Sequence, residues 1–185
     1  MTLTKNAFRQ KCMSKIKNSS LSSNRYYKNA LVNKKLMIKF KAFKNKKILF
    51  YYPLVFEANI LKTLYFMRKK NEIFVPFMQG ESFIMVPFRL PLKKNKFGIF
   101  ESGYTLKKIK KIDIAIVPAV GVDGNLQRVG FGKGMYDRFF ARLRKKPYTV
   151  FVQAEFCYTK QLVCDSYDVR CNLLITPKVS LVYQE

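Results

Sequence analysis

At 185 residues, of which 49% are apolar, the chain is long enough to bury a proper core and too apolar to be disordered. Its formal net charge of +25 invites anionic partners, but the lysines fall as singles, pairs and triples rather than in one block. With no histidine, Ser-His and Cys-His nucleophiles and the usual general base are excluded, and no apolar run reaches membrane-spanning length.

The N-terminus has no apolar signal region. Residues 1–56 contain no acid, a composition shared by organellar targeting segments. Against that, Thr4 to Lys17 reads as a helix with Phe8, Cys12 and Ile16 on one face and Thr4 as its cap. Lys5 and Arg9 stand one turn apart on another side, able to reach a common anion. The plainer reading is two solvated charges. Ser19 to Ser23 reads as a linker, and a second helix is expected over Ser22 to Phe43, with Tyr26, Ala30, Met37 and Phe40 on its apolar side.

Lys47 to Tyr52 is a strand closed by Pro53. A helix from Glu57 to Lys69 follows, with Ile60, Leu61, Leu64 and Tyr65 inward. Glu57 then lies just beyond a strand's C-terminal end, the edge where open α/β sheets bind ligands. It also suits a helix start on charge alone. Glu72 to Pro76 and Ser82 to Pro87 read as strands joined at Gln79-Gly80. Phe88 to Tyr104 is irregular.

Most of the information lies between Ile112 and Leu143. Ile112 to Val117 is a buried strand ended by Pro118. A loop follows with glycines at 121, 124, 130, 132 and 134. From Met135 the pattern is helical, with Tyr136, Phe139, Phe140 and Leu143 at i, i+3, i+4, i+7. A strand feeding a glycine-rich loop and a helix N-terminus suits a phosphate, because backbone N–H groups can close on an anion there. Arg128 and Lys133 add cations, and Asp137 can hold Mg²⁺ against phosphates. It is not a P-loop, since no Gly-Lys-Ser/Thr occurs, and Met135 breaks the dinucleotide fingerprint. A mobile surface loop is the plainer alternative.

Tyr148 to Val152 and Leu173 to Ile175 are two more strands, the second closed by Thr176-Pro177 and preceded by Asp165 and Asp168. Cys12, Cys157, Cys164 and Cys171 form no Cys-x-x-Cys pair, so a zinc site is not expected. They read as free thiols in a reducing compartment, which makes the expected location cytoplasmic.

Pro118-x-x-x-x-Asp123, then Arg128-x-Gly130-x-Gly132-Lys133-Gly134-x-Tyr136-Asp137-Arg138, resembles the 5-formyltetrahydrofolate cyclo-ligase (methenyltetrahydrofolate synthetase) family. The family's Lys-x-x-Leu-Arg start stands here as Lys5-x-x-Phe8-Arg9, and its Tyr-x-Pro…Glu segment as Tyr52 and Glu57. Gly98-Ile99-Phe100-Glu101 is similar to its Gly-Ile-x-Glu-Pro, a structural element. Departures are Ala119 for Gly, Val122 for Phe, Met135 for the first Tyr of Tyr-Tyr-Asp, Ser102 for Pro and Cys157 for Gln.

The resemblance implies ATP- and Mg²⁺-dependent closure of 5-formyltetrahydrofolate to 5,10-methenyltetrahydrofolate. It places Lys5, Arg9, Arg128, Gly130, Gly132, Lys133, Gly134 and Asp137 on ATP, with Arg128 and Lys133 as catalytic cations. Asp137 and Asp168 fall to Mg²⁺, and Tyr52, Glu57 and Tyr136 to the folate. The expected architecture is one α/β domain over 1–185, a three-layer α/β/α with an open, mostly parallel sheet. The protein is expected to be monomeric, with no membrane and no specific nucleic-acid partner. A basic nucleic-acid-binding protein, and a homologue that has lost activity, remain the alternatives.

Overall fold

Strands and helices alternate along the chain: α1 (Lys5–Ser20), α2 (Arg25–Phe40), β1 (Lys47–Leu49), α3 (Leu61–Arg68), β2 (Glu72–Gln79), β3 (Ser82–Pro87), β4 (Lys93–Lys94), β5 (Phe100–Glu101), β6 (Ile114–Pro118), β7 (Gly121–Val122), β8 (Arg128–Val129), α4 (Met135–Ala141), β9 (Tyr148–Val152), β10 (Leu173–Ile175) and β11 (Ser180–Val182). The computed structural model describes residues 3–95, 100–103, 109 and 111–183. Seven strands form one sheet in the order β11-β10-β9-β6-β1-β2-β3. The inner five are parallel, and β3 and β11 close the two edges antiparallel.

The strands are buried on both faces, which is why they read as continuous apolar runs. Side chains alternate between two layers. Ile48, Ile114, Ile116 and Val150 face Leu36 and Phe40 of α2 and Leu64 and Met67 of α3. Leu49, Ala115, Val117 and Phe151 face Phe139 and Phe140 of α4. Helix α1 packs separately, laying Phe8, Cys12 and Ile16 on Val120, Val129 and Cys157. Thr4 caps it by accepting a hydrogen bond from Ala7 N–H at 3.2 Å. The three-layer arrangement expected from the strand and helix pattern is present. No described helix is long and apolar enough to cross a membrane.

From β1 the chain moves to β2 on one side, and from β6 it moves to β9 on the other. The segments leaving the C-terminal ends of β1 and β6 therefore diverge, and such a divergence opens a crevice at the sheet edge. Both the Glu57 segment and the glycine loop start there.

Several expectations are corrected. The second helix runs Arg25–Phe40 and buries Val32, Asn33, Leu36 and Phe40, whereas Tyr26 is 88% exposed. The inward polar residue is what misdirects the pattern. Asn33 Oδ1 accepts from Thr63 N–H at 2.9 Å, and Asn33 Nδ2 donates to Asn59 O at 2.7 Å. The third helix starts at Leu61 rather than Glu57, because Asn59 Oδ1 takes the Leu61 N–H in an Asx turn at 3.1 Å. It turns Thr63, Leu64 and Met67 inward and leaves Tyr65 exposed. The glycine loop contains a small antiparallel ribbon, β7 with β8, invisible as a strand pattern because each arm has two residues. Gly98, Ile99 and Tyr104 lie outside the described residues. Phe100 and Glu101 pair with β4, and the Glu101 carboxylate accepts from Met78 N–H at 2.8 Å, a structural role.

Cys12 and Cys157 are joined in a disulfide across 145 residues of sequence. The expectation of four free thiols therefore holds only for Cys164 and Cys171. Docking of α1 brings the two sulfurs together, and no local spacing announces that contact.

Candidate functional site

Buried Asp123 shapes the loop from within. Its Oδ1 accepts from Asn125 N–H at 3.0 Å and Gln127 N–H at 2.9 Å, and its Oδ2 from Cys164 N–H at 3.1 Å. One carboxylate thus ties the β7–β8 turn to the segment before Asp165. The motif match included Asp123 without a role. The Asp-Gly-Asn sequence, an Asx-turn signal, was the available clue.

Arg128 occupies the space under the glycines. It is 5% exposed, and its Nε donates to Pro118 O at 2.8 Å. Its guanidinium lies 4.8 Å from the Tyr136 ring centroid and 3.7 Å from Asp137 Oδ2. A Cβ on Gly130 would stand 2.4 Å from Arg128 Nη1, so glycine is required there by the arginine. Gly134 precedes α4 with φ of 61°, a left-handed turn that favours glycine. Helix α4 is only seven residues long, so the positive charge at this end comes mainly from side chains. The backbone N–H groups of residues 131–134 donate to no protein acceptor among the described residues.

Beside the loop is a cavity of about 580 Å³. Lys5, Arg9, Arg128, Lys133 and Arg138 line it, together with Asp137, Asp165 and Asp168. Five cations against three carboxylates leave a net positive site. Their engagements differ. Arg9 Nε donates to Gly130 O at 3.0 Å, which docks α1 on the loop. Lys5 donates to Asp165 Oδ2 at 3.0 Å and, more closely, to Asp168 Oδ2. Burial acts to lower the Lys5 pKa, but the hydrogen bonds to Asp168 and Asp165 outweigh it and raise it. Lys133 is exposed at the rim and has no protein partner for its ammonium among the described residues. Tyr167 OH donates to Asp165 Oδ2 at 2.9 Å. Asp165, Tyr167 and Arg138 are members of the site that the sequence had not assigned. Arg138 was matched only as the end of the motif, and Asp165 sits three residues before the chosen Asp168.

Asp137 and Asp168 come from segments thirty residues apart and meet at this cavity. Val169 N–H donates to Asp137 Oδ1 at 3.4 Å, which ties Asp137 to the backbone next to Asp168. Among the described residues no group of three or more His, Cys, Asp or Glu is arranged to hold a metal by itself. Mg²⁺ asks for less than that, because one or two carboxylates with phosphate oxygens and water complete its octahedron. Asp137 suits such an ion. Asp168 suits it only once Lys5 leaves Oδ2.

A second, much smaller chamber lies at Glu57. Glu57 is 8% exposed and its Oε2 accepts from Leu54 N–H at 2.8 Å. Burial raises its pKa to about 7, against smaller opposing contributions from the Leu54 N–H and Arg128. Tyr136 lies within its electrostatic reach, its hydroxyl pKa raised by burial and then by Glu57. Tyr51, the neighbour of Tyr52, is raised by the same two causes and donates to Ala58 O at 2.8 Å. Tyr52 packs its ring 5.5 Å from Phe100. The space at Glu57, roofed by Arg25 and Lys28, is only about 10 Å³, room for a single water at most. Arg128, which lines the cavity, also acts electrostatically on Glu57 and Tyr136.

The sequence was compared with known proteins. A sequence model of the 5-formyltetrahydrofolate cyclo-ligase family matches residues 1–177. A Schizosaccharomyces pombe protein named as a probable 5-formyltetrahydrofolate cyclo-ligase is 29% identical over 133 residues, 61% of this chain and 64% of that one. A Haemophilus influenzae 5-formyltetrahydrofolate cyclo-ligase is 30% identical over 83 residues, 43% of this chain and 44% of that one. The chain thus spans less than two thirds of the length of these curated relatives. Among solved structures, an Aquifex aeolicus 5,10-methenyltetrahydrofolate synthetase superposes with a TM-score of 0.75 at 23% identity, covering 99% of this chain and 94% of that one. One from Mycoplasma pneumoniae gives 0.70 at 20% identity, covering 95% and 99%. At those identities the structural likeness speaks for the fold.

Proposed function

This chain belongs to the 5-formyltetrahydrofolate cyclo-ligase family, and on that premise we propose that it closes 5-formyltetrahydrofolate to 5,10-methenyltetrahydrofolate at the expense of ATP. The observation that carries this reading is a net-positive cavity at the glycine loop whose buried Arg128 also acts on Asp137, Tyr136 and Glu57. The cavity offers loop N–H groups and a Lys133 ammonium that have no protein partner among the described residues. Beyond Arg128 stand the buried Glu57 carboxyl and the Tyr136 and Tyr51 hydroxyls within its electrostatic reach.

In this reading the formyl oxygen attacks the γ-phosphorus of ATP and ADP leaves. N10 of the folate then bonds to the activated carbon, and the former formyl oxygen departs with the phosphate, which takes up the N10 proton. The formyl oxygen carries no proton to remove, so the first step needs no general base and a histidine-free site suffices. Phosphoryl transfer depends on positioning and charge stabilisation. Lys133 and the N–H groups of residues 131–134 take the phosphates, with Arg9 and Lys5 on the opposite wall. Arg128 acts from below, holding Asp137 and the Tyr136 ring in place while its charge faces the cavity. Glu57, Tyr136 and Tyr52 are the folate's contacts in this reading, and the single-water space at Glu57 has to widen to admit it. Mg²⁺, held by Asp137 with Asp168, would neutralise phosphate charge.

The test is an absorbance assay. Methenyltetrahydrofolate absorbs in the near ultraviolet, where the formyl substrate does not. Absorbance is expected to rise only when 5-formyltetrahydrofolate, ATP and Mg²⁺ are all present. A folded protein giving no rise under any of these conditions would be a homologue without the activity.

A further inference from the structure

The inner carboxylate of the cavity already carries a cation. Lys5 Nζ bridges Asp165 and Asp168, meeting Oδ2 of each. The two carboxylates differ. The Asp168 side chain is 4% exposed and the Asp165 side chain 52% exposed. Asp168 Oδ2 also accepts from Asp165 N–H at 2.7 Å, so its recorded bonds converge on one oxygen. Asp165 is held outside by Tyr167 OH, and the Tyr167 ring lies 5.5 Å from the Lys5 ammonium. The ammonium therefore has an inner, buried anchor and an outer, exposed one, and Asp137 is tied by a hydrogen bond from the Val169 N–H to the residue after the inner one.

We propose that Lys5 is a placeholder for the divalent cation: it blocks Asp168 in the nucleotide-free protein and yields it when a nucleotide's phosphates arrive, so that metal binds with nucleotide and not before. The inference rests on the nucleotide site proposed above and adds an order of binding to it.

Mg²⁺ approaches a carboxylate oxygen to about 2.0–2.1 Å. An ammonium on the same carboxylate would then sit beside a divalent charge in a partly buried place, where repulsion is poorly screened. Either the metal stays out or Lys5 moves. Lys5 can move, since it is a point charge on a flexible four-carbon stem at the first residue of α1. Its outer anchor stays in place because Tyr167 orients Asp165 independently of Lys5. Phosphates add the negative charge that lets both cations remain in the cavity, Lys5 on phosphate or Asp165 and the metal on Asp168 and Asp137.

The experiment titrates Mn²⁺ into the purified protein and follows free Mn²⁺ by electron paramagnetic resonance, with and without ADP. Wild type is expected to bind Mn²⁺ at least tenfold tighter with ADP than without. Lys5→Met and Lys5→Gln are expected to bind Mn²⁺ without nucleotide at least tenfold tighter than wild type. Lys5→Arg keeps the charge and should keep the dependence on ADP. Adding Asp168→Asn to Lys5→Met should erase the gain, which places the ion on Asp168. Equal Mn²⁺ affinity in wild type with and without ADP overturns the proposal. So do Lys5→Met and Lys5→Gln proteins with native circular dichroism and no gain. If those variants fail while wild type passes the absorbance assay, the placeholder alone is wrong. If wild type neither turns over nor binds Mn²⁺ with ADP, the nucleotide reading falls with it.

Discussion

The glycine-loop cavity and the Glu57 chamber share one sheet edge and are built on opposite terms. The cavity is about 580 Å³ and keeps its charges near water. The chamber is about 10 Å³ and keeps a carboxyl out of water. Charges in the first are held for a ligand, so removing one should weaken function and leave folding alone. The charge in the second is held against desolvation, so removing it should change folding at once. Asp123 belongs to neither, yet the open cavity depends on it, because a loop with free N–H groups needs a rigid support.

Breaking that support should have the largest effect. Asp123 is fully buried, and Asp123→Ala removes the acceptor of one buried and two part-buried backbone N–H groups. At about 1–3 kcal/mol per unsatisfied group, with water able to reach the two part-buried groups, the loss should fall in the lower part of that sum, roughly 3–5 kcal/mol, a large share of a typical domain's stability. Urea unfolding measures it, and a loss below about 1 kcal/mol would mean water replaces the carboxylate.

Glu57→Gln tests the chamber from the other direction. The folded pKa of about 7 lies above the ordinary 4.5, so the native state binds the proton more tightly than the unfolded chain. Stability should therefore fall as pH rises from 4.5 to about 7. Below that window the carboxyl is neutral in both states and has no effect. Above it, Glu57→Gln should be more stable than wild type by roughly 3 kcal/mol, read from urea midpoints at pH 8. No gain at pH 8 would show that the chamber is wet and open in solution.

Lys133→Ala sharpens the contrast from the cavity side. A charge-assisted bond to phosphate is worth about 1.5–3 kcal/mol, so kcat/KM should drop roughly 10- to 100-fold. The unfolding midpoint should stay within about 0.5 kcal/mol of wild type. Wild-type kinetics would move the phosphate elsewhere.

The smallest effect is at the chamber's roof, where Lys28 pairs with Glu155. Burial acts to raise the Glu155 pKa, but the hydrogen bonds from Lys28 and Ser19 and the charges of Lys28 and Lys178 together outweigh it, and the net shift is downward. The pair's contribution is thus present above the ordinary carboxylate pKa and fades as pH falls through the depressed folded value. Part-exposed pairs are worth about 0–1 kcal/mol. Lys28→Met should cost about that much at pH 7 and nothing in strong acid, by thermal unfolding.

Much of this was legible in the residues. The strands Tyr148–Val152 and Leu173–Ile175 stand where the apolar runs put them, because a strand buried on both faces needs an unbroken apolar run and little else. Thr4 caps α1 as a local hydrogen bond predicts. The cluster of Arg128, Lys133 and Asp137 at one cavity follows from loop and helix positions a few residues apart. Charge and the lack of histidine limited the chemistry before any fold was known.

The tertiary structure alone decided the rest, and each case is a contact between distant segments. Asn33 turned inward because Thr63 and Asn59, thirty and twenty-six residues away, satisfy it. Cys12 met Cys157 because α1 docks on the loop after β9. Lys5, expected on phosphate, rests on Asp165 and Asp168 at the other end of the chain. Composition and periodicity determine which groups must be buried and which segments can be regular. Which charge finds which partner depends on chain crossings that bring remote residues within a few ångströms, and only the packed sheet fixes those.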